Sequence, residues 1–398
     1  DKGNVELSRR VVACMAKLKV KGDEVTHNTR LDVLAKGAAR LGHAAFLLGM
    51  EVIAEMEADG IQPTLTSFNA LLNCAAKSAC VPANEHWVTD GIKALALMQE
   101  RGVTPDVISY NVLIDACSRA AGVKGSRGRV EEGMMILAQM QHAGLKPDVV
   151  TYNSLIHTCA KAARVWGSVG VAQATRLIQE MEGAGVQPDR TTFNSLLNAY
   201  AQAAAAGTCY EFSEFVGVLS LMKDKGIAPD RYSYNVLLNV CAKSARARTT
   251  RSVEPIGIDQ GMRILQMMRD DGLDADVVTY TALLDTCLNS LRAAGDDDII
   301  QRGRQILDMM RDHGVEPNTI SYTALINAAK MHGSPRSVAI AYDLYQRMQP
   351  QMRNRRTYTA MIGAFAKVQR STEALEVFEE ALVHIEPDVI LYSATMGA

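Results

Sequence analysis

Three polar side chains recur at spacings of four residues within a repeated segment of the chain. In one copy, Asn153 is followed by His157 and Lys161. Spacings of i, i+4 and i+8 place all three on one face of an α-helix. An amide both donates and accepts hydrogen bonds, whereas an ammonium group is a charged donor. If copies of this helix stack side by side, the face predicts a ligand-binding groove with amides at one level and cations at another.

The rows of this face can be followed from copy to copy. The first row consists of Asn69, Asn111, Asn153, Asn194 and Asn235, and the row eight residues further on consists of Lys77, Arg119, Lys161, Gln202 and Lys243. Asn is a poor helix former, so its return at one position in successive copies needs a reason. In later copies the first-row residue is Thr, at Thr281, Thr323 and Thr359.

A purely structural alternative stays open for these rows. A first-turn Asn can hydrogen-bond the backbone, and a Lys near a helix C-terminus interacts favourably with the helix dipole. That account suits a single helix. It does not explain why Asn changes to Thr in one block of consecutive copies, and we therefore favour the groove.

The segment that carries the rows reads GLKPDVVTYNSLI from Gly144 to Ile156, and close copies of it return along the chain. A fixed period is the signature of a repeat architecture. Ending each unit at the last residue of its turn gives eight predicted repeats, at 65–106, 107–148, 149–189, 190–230, 231–276, 277–318, 319–354 and 355–388. We expect degenerate N-terminal helical repeats in 1–64 and the start of a further, truncated repeat in 389–398.

Each repeat is predicted to form two helices. The apolar residues Phe68, Leu71, Leu72 and Ala75 have the spacing of an amphipathic first helix. A hydroxyl residue directly before the aromatic is expected to be the N-cap, at Ser67, Ser109, Thr151, Thr192, Ser233, Thr279, Ser321 and Thr357. The second helix ends on a Met four residues before a Gly, and we expect that Met in the core and that Gly as a left-handed stop. Such pairs are Met98 and Gly102, Met140 and Gly144, Met181 and Gly185, and Met222 and Gly226.

Composition and charge restrict the class of protein. Helix pairs of this kind bury their apolar faces only by stacking into a superhelical solenoid, and a composition with 48% hydrophobic but 5% aromatic residues suits close-packed helices. The formal net charge of −2 excludes a global basic field, so nucleic acid would have to be bound by a local stripe. No apolar run is long enough to span a membrane.

Neither metal binding nor disulfides are indicated. The 8 cysteines show no CxxC or His-Cys cluster. Five of them lie at nearly equivalent places in the repeats, where we expect small buried thiols, namely Cys74, Cys117, Cys159, Cys241 and Cys287. The repeats differ in length mainly in the segment that connects their two helices, which predicts surface loops there. The acidic run Asp296–Asp298 lies in one of them and is expected to be solvated.

At these residues the chain resembles pentatricopeptide repeat proteins, whose unit reads much like VVTYNSLI…A…M…GLKPD. The resemblance covers roughly residues 24–398. It implies an all-α fold, a right-handed superhelical solenoid of helix-turn-helix repeats (an α-α superhelix), here with long inter-helix insertions. Such repeats read single-stranded RNA at one base per helical repeat through two or three side chains.

The resemblance also implies which residues read bases. In the family, base identity is set by the residue after the aromatic together with the last residue of the same repeat. Here those pairs are Asn69 with Asp106, Asn111 with Asp148, Asn153 with Asp189, Asn194 with Asp230, Asn235 with Asp276, Thr281 with Asn318, Thr323 with Asn354, and Thr359 with Asp388. The family's code assigns uracil to Asn–Asp, adenine to Thr–Asn and guanine to Thr–Asp. The expected target core is therefore 5′-UUUUUAAG-3′.

The side-chain chemistry is compatible with this code. An Asn amide can donate and accept along the edge of a pyrimidine, and the shorter Thr leaves room for a purine. Guanine presents two donors, which suits the carboxylate of Asp388. Adenine presents one donor and one acceptor, which suits the amides of Asn318 and Asn354.

Two further sets of residues follow from the resemblance. The base-stacking positions hold Ile108, Val150, Tyr232, Val278 and Ile320, with Ile390 after them, and the phosphate-binding positions hold Lys77, Arg119, Lys161, Lys243 and Lys367. Thr66, Thr191 and Arg356 depart from the aliphatic stacking pattern, and Gln202, Asn289 and Met331 depart from the cation pattern. We expect weaker RNA contacts at those repeats.

The resemblance implies a sequence-selective single-stranded RNA-binding protein of organellar gene expression, which stabilises or processes a transcript or supports its translation. It implies a mitochondrial or chloroplast location, although no transit peptide is visible at Asp1, and it implies no cofactor. The alternative is a structural subunit of a large organellar ribonucleoprotein such as a ribosome, in which the loops contact other subunits and the groove holds rRNA.

Two other classes are disfavoured. A protein-binding solenoid of the tetratricopeptide type needs a W-x₂-L-G-x₂-Y pattern, which these units lack. The sequence also has no zinc-deaminase signature and no clustered acidic metal site, so we expect no enzyme in this segment.

Overall fold

The computed structural model describes residues 22–81, 86–121, 127–208, 210–246, 257–294 and 298–398, together with residues 5–6, 10–11 and 14. All regular secondary structure in these ranges is helical, which confirms the predicted all-α class. The chain divides into two compact units, Asp1–Ala203 and Ala204–Ala398.

The first unit contains α1 (Glu24–Leu41), α2 (His43–Ala58), α3 (Leu65–Ser78), α4 (Trp87–Glu100), α5 (Val107–Ala120), α6 (Arg127–His142), α7 (Val149–Trp166), α8 (Ser168–Gly183) and α9 (Arg190–Ala205), whose end passes the unit boundary. The helices α1, α3, α5 and α7 pack side by side. Each of them is followed by an even-numbered helix that folds back against it.

The second unit contains α10 (Phe212–Asp224), α11 (Arg231–Arg246), α12 (Ile258–Asp270), α13 (Val277–Ala294), α14 (Asp298–Asp312), α15 (Thr319–His332), α16 (Pro335–Arg347), a 3-10 turn (Pro350–Met352), α17 (Arg355–Lys367), α18 (Ser371–His384) and α19 (Val389–Met396). Here α11, α13, α15, α17 and α19 pack side by side, and α12, α14, α16 and α18 fold back on their predecessors. Each unit is thus a stack of helix-turn-helix repeats, as predicted, while the repeat bounds given above stay an interpretation of the sequence.

The apolar stripes of the helices form the core of each unit. Aromatic residues of the first helices, such as Phe68 and Tyr152, are fully buried, and so are Met98 and Met140 of the second helices. Burial of one such side chain contributes roughly 1.5–3 kcal/mol. The five aligned cysteines are also fully buried, as predicted. Burial raises the pKa of the Cys74 thiol to about 12, so this thiol stays protonated at neutral pH.

The predicted glycine stops are confirmed. Gly102 has a left-handed φ of 73°, and the amide of Val103 donates to the carbonyl of Met98 over 2.9 Å. This bond closes the helix end in the manner of a Schellman motif. Positive φ values recur at Gly144, Gly185, Gly226, Gly272 and Gly314.

The predicted N-caps are wrong by three residues. Helix α5 is capped by Asp106, in extended backbone (φ −108°, ψ 178°), whose carboxylate accepts from the Ser109 amide. Ser109 is the third helical residue, and its hydroxyl accepts from the Asp106 amide over 3.2 Å. The same reciprocal capping box joins Asp148 with Thr151 and Asn354 with Thr357. Ser, Thr, Asp and Asn all cap well, so composition alone did not decide which of two candidates does so.

Two expectations concern parts of the chain that are only partly described. The middle of each variable loop, at 82–85, 122–126, 247–256 and 295–297, lies outside the described residues, and so do the first two residues of Asp296–Asp298. Within the described ranges, no cluster of three or more His, Cys, Asp or Glu side chains is suited to hold a metal ion. In the same ranges, no helix has the length and apolar character needed to span a membrane.

Candidate functional site

Two of the predicted base-reading pairs meet directly in the first unit. The Asn111 amide nitrogen Nδ2 donates to Oδ1 of Asp148 over 3.1 Å. The Asn153 amide makes the same bond to Asp189, also over 3.1 Å. Each Asn lies in the first turns of one helix, and each Asp caps the next odd-numbered helix. The fold therefore brings together an amide and a carboxylate that are 37 or 36 residues apart in sequence.

A buried hydroxyl holds each amide in position. Thr151 is fully buried, and its Oγ1 lies 2.6 Å from Oδ1 of Asn111 and 2.8 Å from Oδ1 of Asp148. The backbone amide of Asp148 donates to Oγ1 of Thr151 over 3.1 Å. Equivalent amide contacts join Thr192 with Asn153 at 2.6 Å and Ser109 with Asn69 at 2.7 Å. The hydroxyl of one capping box thus holds the predicted base-reading amide of the preceding repeat.

The carboxylates at this site are ionised at neutral pH. Burial alone would raise the pKa of Asp148, but hydrogen bonds from the Thr151 amide and hydroxyl and from the Asn111 amide outweigh it and hold that pKa below its usual value. The pKa of Asp189 is lowered against burial in the same way, by Thr192 and Asn153. Each carboxylate is therefore a hydrogen-bond acceptor in a half-buried place.

Thr151→Val should destabilise the protein by about 1–3 kcal/mol, because it leaves the side-chain oxygen Oδ1 of Asn111 and the backbone amide of Asp148 without their hydroxyl partner. Urea denaturation followed by circular dichroism measures this. Thr158→Val in the same helix is the control, since that hydroxyl only donates to the Ser154 carbonyl over 2.7 Å. We expect little change there, and equal losses in both variants would contradict the bridging role of Thr151.

The predicted adenine- and guanine-reading residues have different partners. The hydroxyl of Thr281 donates to the carbonyl of Val277 over 2.6 Å, and that of Thr359 donates to Arg355 over 2.9 Å. Both bonds run back by four residues within one helix. Thr323 is buried and lies 2.9 Å from the Thr357 hydroxyl, oxygen to oxygen. The Thr side chains therefore differ from the Asn side chains at this position in their contacts as well as in their size.

The other residues predicted to read bases lie at helix N-caps or within the first helix of a repeat. Asn318, Asn354 and Asp388 cap their helices and accept from the amides of Ser321, Thr357 and Leu391 at 3.0, 3.0 and 2.9 Å. Asp230 and Asp276 accept from the amides of Ser233 and Thr279, both at 2.9 Å. Asn194 is half-buried in α9. Asn235 hydrogen-bonds Asp276, yet its side-chain oxygen Oδ1 is buried and has no hydrogen-bond partner among the described residues.

The predicted base-stacking residues are exposed apolar side chains, and each is the second residue of an odd-numbered helix. Ile108, Val150, Tyr232, Val278, Ile320 and Ile390 are between 51% and 65% exposed. Single exposed apolar residues are common on proteins, but here the exposure recurs at one position of several repeats. Thr66, Thr191 and Arg356, which break the aliphatic pattern, are exposed as well.

Three of the predicted phosphate-binding cations, Lys161, Lys367 and Arg119, already have partners within the protein. Lys161 donates to the carbonyl of Ser118 over 2.9 Å, and Lys367 donates to the carbonyl of Met331 over 3.0 Å. Both carbonyls belong to the last turn of the preceding odd-numbered helix. Arg119 forms an ion pair with Asp115, four residues earlier. The two lysine contacts show the helix-end role that we considered as an alternative, although the helix concerned is the neighbouring one.

Known family patterns match much of the chain. A family model for the pentacotripeptide-repeat region of PRORP matches residues 80–217. A model for the pentatricopeptide repeat domain matches 43–78 and 263–331, and a model for the PPR repeat matches 356–383. The chain belongs to the pentatricopeptide repeat family.

Solved structures of other pentatricopeptide repeat proteins are similar. The protein PPR10 in complex with an 18-nt psaJ RNA element is 20% identical, with a TM-score of 0.42 over 98% of this chain. The chain spans 60% of the length of that protein. PPR10 from maize gives 19% identity and a TM-score of 0.38, over 98% of this chain and 68% of PPR10. The PPR domain of Arabidopsis thaliana protein-only RNase P 1 in complex with tRNA is 19% identical, with a TM-score of 0.35, over 52% of this chain and 90% of that domain. No curated protein sequence matches at a significant level.

Sequence reasoning missed the role of the hydroxyl residues in this site. They were expected only as helix caps, whereas Ser109, Thr151 and Thr192 hold the amides of the preceding repeat. A signal was present, because each follows an Asp by three residues, which is the spacing of a capping box. The second contact of the hydroxyl crosses about 40 residues and has no sequence signature of its own.

Proposed function

We propose that this pentatricopeptide repeat chain binds single-stranded RNA sequence-selectively, at one base per repeat, with the target core 5′-UUUUUAAG-3′. The observation that carries the proposal is the amide–carboxylate pair, seen at Asn111 with Asp148 and at Asn153 with Asp189. Each pair is half-buried and held by a buried hydroxyl, so its geometry exists before RNA binds. Such preorganisation lowers the entropy cost of recognition.

The groups present fit the edge of uracil. Uracil offers an N–H between two carbonyl oxygens, so the ionised carboxylate accepts from the N–H while the amide donates to a neighbouring carbonyl. The exposed side chains of Ile108 and Val150 then cover the faces of the base. Stacking contributes about 1–3 kcal/mol per base, and a good edge contact about the same in discrimination.

In this proposal the protein acts by occupancy and catalyses no reaction. A bound array covers its RNA segment, which protects that segment from exonucleases and keeps it unfolded. Stabilisation, processing or translation of a transcript in a mitochondrion or chloroplast are the processes that this activity serves.

A second candidate is a structural role in a large organellar ribonucleoprotein, such as a ribosome. Two observations favour it. Lys161 and Lys367 are engaged with backbone carbonyls, and the net charge is −2. Both features weaken attraction to a free RNA backbone, whose binding depends on neutralising phosphates. In such a particle, protein neighbours would supply the missing attraction.

Binding of labelled 5′-UUUUUAAG-3′ and of its permuted form 5′-GAAUUUUU-3′ at physiological salt tests the proposal. We expect at least about a tenfold preference for the first strand, which corresponds to about 1.4 kcal/mol. Equally weak binding of both strands would contradict sequence reading. Sedimentation of the chain with a ribosome-sized particle, together with that result, would support the structural role instead.

A further inference from the structure

A guanidinium group faces the base-reading carboxylate in two repeats of the second unit. Arg231 Nη1 lies 3.6 Å from Oδ2 of Asp276, and Arg355 Nη1 lies 3.4 Å from Oδ2 of Asp388. Each Arg begins the first helix of the repeat that its Asp ends. Both arginine side chains are 50% exposed, so the ion pairs do not remove them from solvent.

The two oxygens of each carboxylate have separate tasks. Oδ1 of Asp276 accepts from the amide and the hydroxyl of Thr279, both at 2.9 Å, and so belongs to the helix cap. Oδ2 faces the guanidinium. The Arg355 side chain is further held by a 3.0 Å hydrogen bond from Nη2 to the carbonyl of Glu386. A guanidinium has five N–H donors in a rigid fork, so donors remain after these contacts.

The fold does not require an arginine at this position. Val107 and Val149 stand there in the repeats that end at Asp148 and Asp189. In the two repeats that end on Asn, the position holds Val277 and Thr319. Arginine stands at this position in three repeats, as Arg190, Arg231 and Arg355, and all three repeats end on Asp. An exposed ion pair by itself adds little stability.

We propose that Arg231 and Arg355 are specificity-determining residues, which donate a hydrogen bond to the O4 of uracil or the O6 of guanine beside the carboxylate. This inference rests on the proposed function. In uracil and guanine, a carbonyl acceptor lies next to a ring N–H donor, and the Arg–Asp pair presents the complementary donor and acceptor. Cytosine and adenine present the reverse order, an amino donor next to a ring nitrogen acceptor, which sets donor against donor and acceptor against acceptor. The two repeats therefore select keto over amino bases more strongly than repeats with Val.

Arg231→Val tests this, because it installs the residue that Val107 and Val149 provide elsewhere in the chain. Affinities are measured for the target and for strands with cytosine at the fifth or at the third position. We expect the fifth-position cytosine penalty to fall about tenfold in the variant, the low end of a good base contact. The third-position penalty, read by Asn153 and Asp189, should not change. In 4-thiouridine, a sulfur replaces O4 and accepts hydrogen bonds more weakly. Placing it at the fifth position should weaken RNA binding by the wild type but not by the variant.

Arg231→Lys separates base reading from charge, since Lys keeps the positive charge but not the planar fork. If Arg231→Val weakens all strands equally and Lys restores them, the arginine contacts phosphate and the inference is overturned. An unchanged cytosine penalty would also overturn it and leave only an intramolecular ion pair. A wild-type chain that does not prefer the target over its permuted form would instead contradict the proposed function itself. Arg355→Val, with guanine exchanged for adenine at the eighth base, repeats the test.

Discussion

Replacing Asn153 by Thr and Asp189 by Asn should change the third base of the preferred RNA from uracil to adenine. The double variant copies the Thr281 and Asn318 pair of the same chain. The neutral amide of Asn offers both a donor and an acceptor to adenine, and the shorter Thr leaves room for a purine. We expect the wild type to favour 5′-UUUUUAAG-3′ over 5′-UUAUUAAG-3′, and the variant to reverse that order. At about tenfold in each direction, the switch is about a hundredfold, or about 2.7 kcal/mol.

Competition binding with both strands measures the switch, and the thermal midpoint shows whether the fold is kept. Asn caps a helix as well as Asp does, so the start of α9 should persist. Asn318→Asp is an independent arm, because Thr with Asp should read guanine and so change the sixth base from adenine. A variant that stays folded and keeps the uracil preference would show that these two residues do not read the third base.

Gly170→Ala should destabilise the α7–α8 pair by about 1–3 kcal/mol, the usual cost of forcing extra atoms into a packed interface. A Cβ added at Gly170 would lie 2.7 Å from the Cα of Ala163 and 2.9 Å from its backbone nitrogen. Those atoms belong to the backbone of α7, so the close contacts can be relieved only if α7 and α8 move apart. Thermal unfolding followed by circular dichroism should show a lower midpoint.

Gly183→Ala, in the last turn of the same helix α8, is the matched control. A Cβ added there meets no atom within 4 Å. Ala is a better helix former than Gly by about 1 kcal/mol, so this variant should leave the midpoint unchanged or raise it. If both substitutions lowered it equally, the close approach at Ala163 would not be the cause.

The sequence was sufficient for the features that depend on local periodicity. The paired helices, the buried Met98 and Cys74, and the left-handed Gly102 follow from spacing and from the conformational range of glycine. The sequence predicted the wrong capping residue because Asp106 and Ser109 can both cap a helix. Only the structure shows that Asp106 is the one with extended backbone.

Contacts between repeats could not be predicted in the same way. Lys161 donates to the backbone carbonyl of Ser118. Every residue has such a carbonyl, so the residue types do not indicate which one a lysine will contact. The approach of Arg231 to Asp276 depends on how one helix start lies beside the next. The proposed base-reading pairs were suggested by the family resemblance, whereas the hydroxyl that joins Asn111 to Asp148 was found only in the structure.

Under the proposed code, the capping role of the last residue of a repeat restricts which RNA targets such a chain can acquire. Asp148 caps helix α7 and is also half of a proposed base-reading pair. A position that must cap a helix accepts Asp, Asn, Ser or Thr at little cost and rejects large apolar residues. All eight last residues of the predicted repeats are Asp or Asn. If these residues read bases as proposed, the requirement for a helix cap restricts which residues the code can use. A change of target would then have to keep a residue that caps the next helix.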